Sequence, residues 1–253
     1  MRTHAAAALV ALFLCSGCLT PKAIGEADAH KKLGAAFIHE RNDPAAIGEL
    51  RQSVKKNKWD KDAWQLLGLA YFSYDRYEDA EVALLRALKI DPDFAQAQVN
   101  LGSLYLQMGR FPDAVQVLQK AADNAEYREP ARAQHNLGYA WFSQGDYEKA
   151  RGLYEGVLRK FPKFCPGLHG LGMVDEAEGL LNDALGRYRQ ALECDSRDLK
   201  VHLSLGSVEM RLDLIPDACT HLTTVKDADA FGELRGEAVL LLDRLDCDAV
   251  SSR

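Results

Sequence analysis

The sequence has no run of lysine or arginine. Its 31 basic and 37 acidic residues leave a net charge of −6. Without a basic stripe or a net positive charge, a nucleic-acid partner is disfavoured. The one strongly apolar stretch near the start, Ala5–Leu14, is ten residues long and too short to cross a bilayer as a helix. The seven histidines form no H-E-x-x-H and no Cys/His cluster with zinc spacing. There is no G-x-S-x-G, no P-loop, and no G-x-G-x-x-G placed to follow a strand. Carboxylate pairs such as Glu78-Asp79 and Asp195/Asp198 sit at helix starts or turns, where capping explains them. The expectation is a protein without catalysis, metal, cofactor or small-molecule substrate.

What is present begins at the N-terminus. Arg2 precedes the apolar run, and the small residues Ser16 and Gly17 follow it, as in a secretory signal peptide. Cys15-Ser16-Gly17-Cys18 resembles a bacterial lipobox with Cys15 in the place usually held by Leu, which makes Cys18 the lipidated residue. A C-x-x-C redox pair needs a folded neighbourhood, whereas this one ends a leader. The expected organisation is a leader over 1–17, then a lipidated N-terminus and linker over 18–26.

The rest of the chain repeats. Leu33-Gly34, Leu67-Gly68, Leu101-Gly102, Leu137-Gly138, Leu171-Gly172 and Leu205-Gly206 are spaced by 34, 34, 36, 34 and 34 residues. A 34-residue period is that of the tetratricopeptide helix–turn–helix. In the second repeat Trp64, Leu67 and Tyr71 share one helical face, Gly68 and Ala80 mark a close helix crossing, and Pro92 ends helix B. The predicted fold is all-α: a right-handed superhelical solenoid of six repeats (27–60, 61–94, 95–130, 131–164, 165–198, 199–229), with a capping helix and tail over 230–253. The cap follows from the stripe Phe231, Leu234, Ala238, Leu241, Leu242 and Leu245. The first repeat has Lys58 in place of the closing proline, and repeats five and six carry Asp175 and Glu209 at the usual aromatic position. This reads as the drift expected of terminal repeats.

Four cysteines remain after Cys15 and Cys18. Cys165 opens the fifth repeat and Cys194 is its thirtieth residue, so an antiparallel hairpin brings them together. Cys219 and Cys247 stand in the same relation in the sixth repeat and the cap. An oxidising compartment favours disulfides Cys165–Cys194 and Cys219–Cys247, each closing a loop of about thirty residues worth ~3–4 kcal/mol. Buried free thiols are the alternative.

In tetratricopeptide folds, positions two, five, nine, twelve and thirteen of helix A line the concave face. Here that face comprises Gln65, Leu69, Phe72, Val99, Ser103, Leu106, His135, Tyr139, Phe142 and Met173, an apolar and aromatic groove suited to an extended or helical peptide. Val99 and Leu106 could equally pack on a neighbouring repeat. His135 and His169 share one repeat position, stacked along the groove or simply solvated.

The lipobox, short linker and six repeats together resemble the PilF/PilW/Tgl group of type IV pilus pilotins. So does the stretch from Ala125 through Tyr127, Pro130 and Ala131 to Asn136-Leu137-Gly138, which carries the two-residue insertion. Cysteines in the late repeats are similar to the Tgl branch. The resemblance implies a lipoprotein anchored in the periplasmic leaflet of the outer membrane, with Leu19 rather than Asp after the lipidated cysteine. It further implies binding of secretin subunits and their assembly into the pilus channel. The competing expectation is another periplasmic adaptor, such as a β-barrel assembly or envelope-protease scaffold.

Overall fold

A computed structural model describes residues 20–229, 232–245 and 247. The expected leader, Cys18 and Phe231 lie outside them. Among the described residues there are thirteen helices and no strand. The helices are α1 (Pro21–His39), α2 (Asp43–Lys56), α3 (Lys61–Ser73), α4 (Tyr77–Ile90), α5 (Ala95–Gln107), α6 (Phe111–Asp123) and α7 (Pro130–Ser143). They continue as α8 (Tyr147–Lys160), α9 (Cys165–Ala177), α10 (Leu181–Cys194), α11 (Leu199–Arg211), α12 (Ile215–Ala228) and α13 (Glu233–Leu242). The repeats are thus α-helical hairpins of the tetratricopeptide type.

Residues 21–26, expected to be linker, are helical. Thr20 accepts a hydrogen bond from the Ala23 amide at 3.2 Å, and Pro21 occupies the first helical position. A threonine cap before a proline is a helix start, and it sets the beginning of α1. Proline acts likewise at Pro130, which starts α7 one residue before the expected boundary. The two extra residues of the third repeat fall in the loop between α6 and α7.

Each helix A ends in a left-handed residue. These are Arg41, Asp75, Gly109, Gly145, Gly179 and Asp213, with φ between 55° and 80°. Glycine carries this conformation without steric cost, whereas the three other residues hold it at about 1–2 kcal/mol each.

The chain forms two compact units, residues up to 100 and residues from 101. In the first, α1 packs on α2, α2 on α3, α3 on α4, and α1 also reaches α3. Its core holds Ala27, Leu50, Val54, Ala63, Leu67, Tyr71, Ala80 and Leu84. In the second, successive helices from α6 to α13 pack on one another, and α7, α9, α11 and α13 touch in turn. Helix α13 therefore takes the place of helix A in an unfinished seventh repeat. Leu234, Leu241, Leu242 and Leu245 cover the buried Leu203, Leu222, Val225 and Ala238.

One contact recurs in every hairpin. The glycine of each Leu-Gly pair faces a large side chain sixteen residues later: Gly34–Leu50, Gly68–Leu84, Gly102–Leu118, Gly138–Tyr154, Gly172–Tyr188 and Gly206–Leu222. At each glycine an added Cβ would lie under 3.0 Å from that side chain. All six facing side chains are fully buried. The glycine lets the two backbones approach, and the large residue fills the space so created. Gly48, Gly152 and Gly186, also helical, have open space beside them.

Substitution at the two kinds of glycine is expected to act in opposite directions. Gly68→Ala should lose about 1–3 kcal/mol in urea unfolding, because its Cβ meets Leu84 Cγ at 2.6 Å. Gly152→Ala, in the interior of α8, should gain about 0.5–1 kcal/mol. Equal effects at the two sites would contradict the packing role assigned to Gly68.

Candidate partner-binding surface

The expected groove residues differ in how far a partner could reach them. In the first unit Gln65 and Val99 are buried, Val99 completely, while Leu69 and Phe72 are half-buried. Val99 is therefore a packing residue and not a groove residue. Its apolar side chain gains more from enclosure than from a solvent-facing position. Phe72 sets its ring edge-on to Tyr77 at 6.0 Å.

In the second unit Ser103, Leu106, His135, Phe142 and Met173 are half-buried, and Tyr139 is exposed. Ser103 Oγ accepts a hydrogen bond from Asn136 at 2.9 Å. Tyr139 and Phe142 stack with ring centroids 6.4 Å apart, and Phe142 contacts Tyr147 at 5.5 Å. Phe142 also packs on the cluster of Ala150, Tyr154, Leu171 and Val174. Met173 packs on the cluster that contains Leu168, Tyr188 and Leu205. Tyr139 is thus the side chain most able to meet a partner without holding the fold together.

His135 and His169 are neither solvated nor paired as a simple stack in the groove. His135 lies against Tyr154 and Phe164, with centroids at 5.7 and 5.9 Å. His169 lies 5.4 Å from Tyr188, and its Nε2 is 3.0 Å from Ser204 Oγ. Burial pushes the His135 imidazole down to about 4, with His169 adding to the effect, so it is neutral at pH 7.

The acidic residues at position eleven of helix A are not drift. In repeats two to four that position is aromatic and a cation covers it: Arg76 over Tyr71 at 4.7 Å, Arg110 over Tyr105 at 4.2 Å, Lys149 over Trp141 at 3.8 Å. In repeats five and six the ring is replaced by a buried carboxylate, Leu180 and Leu214 stand where Arg76 and Arg110 stood, and cations from other positions on helix B face it. Asp175 pairs with Arg151 at 2.8 Å and stands 3.7 Å from Arg187. Glu209, fully buried, has Arg189 at 3.4 Å and His221 Nε2 at 3.8 Å. A cation–π contact has become an ion pair at one structural place.

Glu209 heads a chain of polar groups. His202 Nε2 lies 2.9 Å from the Ser196 carbonyl and must donate to it, which leaves His202 Nδ1 to accept. His221 Nδ1 is 2.8 Å away and donates, so His221 Nε2 presents a lone pair toward Glu209. Burial, reinforced by Asp217, raises the Glu209 carboxyl to about 7 against the pull of Arg189. Burial and then His202 lower His221. Position eleven could be singled out in the sequence; Arg187 and His221 each follow its carboxylate by twelve residues, whereas Arg151 and Arg189 precede it by 24 and 20.

The disulfides Cys165–Cys194 and Cys219–Cys247 are formed, with Cα atoms 6.1 and 5.8 Å apart. They tie the start of α9 to the end of α10, and α12 to the residues after α13. Among the described residues no group of three or more His, Cys, Asp or Glu could hold a metal ion.

Two family models describing tetratricopeptide repeats match the chain, over residues 68–109 and 99–163. The regulatory protein RapG of Bacillus subtilis (strain 168) is 28% identical over 156 residues, 55% of this chain. The chain spans only 43% of RapG's length, and much less of other curated relatives. Among solved structures, PilF of Pseudomonas aeruginosa is similar with a TM-score of 0.70 at 18% identity, covering 85% of this chain and 97% of PilF. PilW, a widely conserved type IV pilus biogenesis factor, is similar with a TM-score of 0.74 at 19% identity, covering 84% and 98%. At such identity the likeness establishes the tetratricopeptide fold.

The Glu209 cluster yields a pH dependence of known sign. A carboxyl whose folded pKa exceeds its unfolded value adds stability that is complete below about 4.5 and is lost as pH rises through about 7. The wild type should therefore lose on the order of 2–3 kcal/mol relative to Glu209→Gln between pH 5 and pH 8. Parallel stability curves for the two proteins across that range would contradict the assignment.

Proposed function

We propose that this chain is an assembly factor of the type IV pilus machine: an outer-membrane lipoprotein that binds secretin subunits and promotes their insertion and assembly. The observation that carries this reading is the extent of the fold match. It runs through 97% of PilF and 98% of PilW and takes up 85% and 84% of this chain. RapG is matched over less than half its length.

The physical features agree with a protein that holds another protein. Helical repeats display a ledge of side chains on rigid hairpins, and in the second unit Tyr139 is exposed while stacked on Phe142. A pre-positioned aromatic loses little conformational freedom on binding and supplies a large contact area. Repeat scaffolds of this kind act by binding, and catalysis has no part in the reading. Cys18, at the boundary of the expected leader, would carry the lipid, and the disulfides at the C-terminal end suit an oxidising periplasm.

Deleting the gene should abolish secretin multimers, surface pili and pilus-dependent motility. Normal multimers and pili in the deletion strain would refute the assignment. Tyr139→Ala should weaken capture of secretin subunits about tenfold or more, the scale of an aromatic interface anchor. Its thermal unfolding should stay unchanged. Phe142→Ala, by contrast, should lower stability as well, because Phe142 packs on Tyr154 and its neighbours.

A further inference from the structure

The end of the first unit where α1 begins carries an unusual combination of exposed groups. Trp59 sits in the loop between α2 and α3 and is 62% exposed, although tryptophan is among the most costly side chains to leave in water. Lys58 places its ammonium 5.4 Å from the Trp59 ring. Lys55 in the last turn of α2, Lys58 and Lys22 in the first turn of α1 are exposed and have no ion-pair partner among the described residues. Ile24, also on the first turns of α1, is 45% exposed.

The loop is tied to α1 at that helix's sixth and eleventh residues. Lys56 pairs with Glu26, and Lys31 with Asp60 at 2.8 Å. These two bonds neutralise Glu26 and Asp60. Helix α1 rises about 7.5 Å from Pro21 to Glu26. Cys18 is three residues before Pro21, so its backbone cannot lie more than about 10 Å from the start of α1. An acyl chain carried on Cys18 would enter a bilayer within that reach of the start of α1.

We infer that this end is a membrane-contacting face, on which Trp59 enters the headgroup layer while Lys22, Lys55 and Lys58 meet anionic phospholipids. The inference rests on the lipid anchor at Cys18 described under the proposed function. Tryptophan with its apolar body and N–H is suited to the bilayer interface. Each lysine beside an anionic surface adds an attraction of its own, worth roughly a fivefold change in partition. A single lipid with a basic patch forms a two-part attachment, and a face in contact at two places cannot pivot freely about the lipid. The first unit would then stand on the membrane at the α2–α3 loop, in a defined orientation.

The test uses the full mature chain, purified from membranes and reconstituted into vesicles of brominated phosphatidylethanolamine with or without phosphatidylglycerol. The chain has three tryptophans, and Trp64 and Trp141 are half-buried. Tryptophan emission should be quenched in the anionic vesicles, and the quenching should vanish in Trp59→Phe. It should fall at least about fivefold in the double variant Lys55→Glu/Lys58→Glu. Equal quenching in the native and Trp59→Phe chains overturns the face, as does equal quenching in vesicles without phosphatidylglycerol. Mass spectrometry of the same preparation separates the two readings. An acylated chain with unquenched Trp59 refutes the face and leaves the anchor standing. A chain without acyl at Cys18 refutes the anchor and this inference together.

Discussion

The approach of one helix to its partner within each hairpin is the constraint on which the other features depend. A glycine on helix A meets a leucine or tyrosine sixteen residues later on helix B, six times in the chain. No regular hydrogen bond joins the two helices, so their spacing is set by how closely the backbones can come and what fills the remaining volume. The left-handed residue at the end of each helix A reverses the chain at a constant distance from that glycine. The 34-residue period is the sequence record of this geometry. The one departure, 36 residues, is absorbed in the loop between α6 and α7 without moving the glycine from its partner.

Where the facing residue is tyrosine, the surroundings have changed to fit. Tyr154 lies between Gly138 and Gly170, and His135 closes one side. Tyr188 hydrogen-bonds Glu176 at 2.9 Å and has His169 beside it. In repeats five and six the cation-covered ring at position eleven gives way to buried carboxylates, and two disulfides close the hairpins. A buried ion pair is a weak source of stability because desolvation opposes it. The cross-links restrict the unfolded chain at the place where the core became more polar.

Much of this fold could be read in advance because it is periodic. The Leu-Gly pairs and the small residues at the crossings place the hairpins, and the register alone brings Cys165 to Cys194 and Cys219 to Cys247. The failures have a common origin in contacts that lack a period. Thr20-Pro21 is a local helix start outside the repeat period, and it makes 21–26 helical where the period alone implies linker. Val99 occupies position five of helix A, where Gln65 and Leu203 are enclosed as well, and that enclosure comes from neighbouring helices rather than from its sequence neighbours. Asp175 and Glu209 resemble terminal drift until Arg151, Arg187, Arg189 and His221 are seen around them. Those partners lie on helix B of either the same or the preceding repeat.

Two of the surfaces left exposed by this packing differ in chemistry. A stacked aromatic ledge at Tyr139 suits an apolar protein segment, while the lysines and Trp59 beside the start of α1 suit a lipid surface. The proposed role, receiving membrane-bound subunits, would call on both kinds of surface. The most direct measurement replaces Tyr139 with a photo-cross-linking phenylalanine derivative in living cells. The account predicts a cross-linked product containing a secretin subunit from position 139, and none from the enclosed position 99. Capture of a β-barrel assembly component instead, or equal cross-linking from both positions, would contradict it.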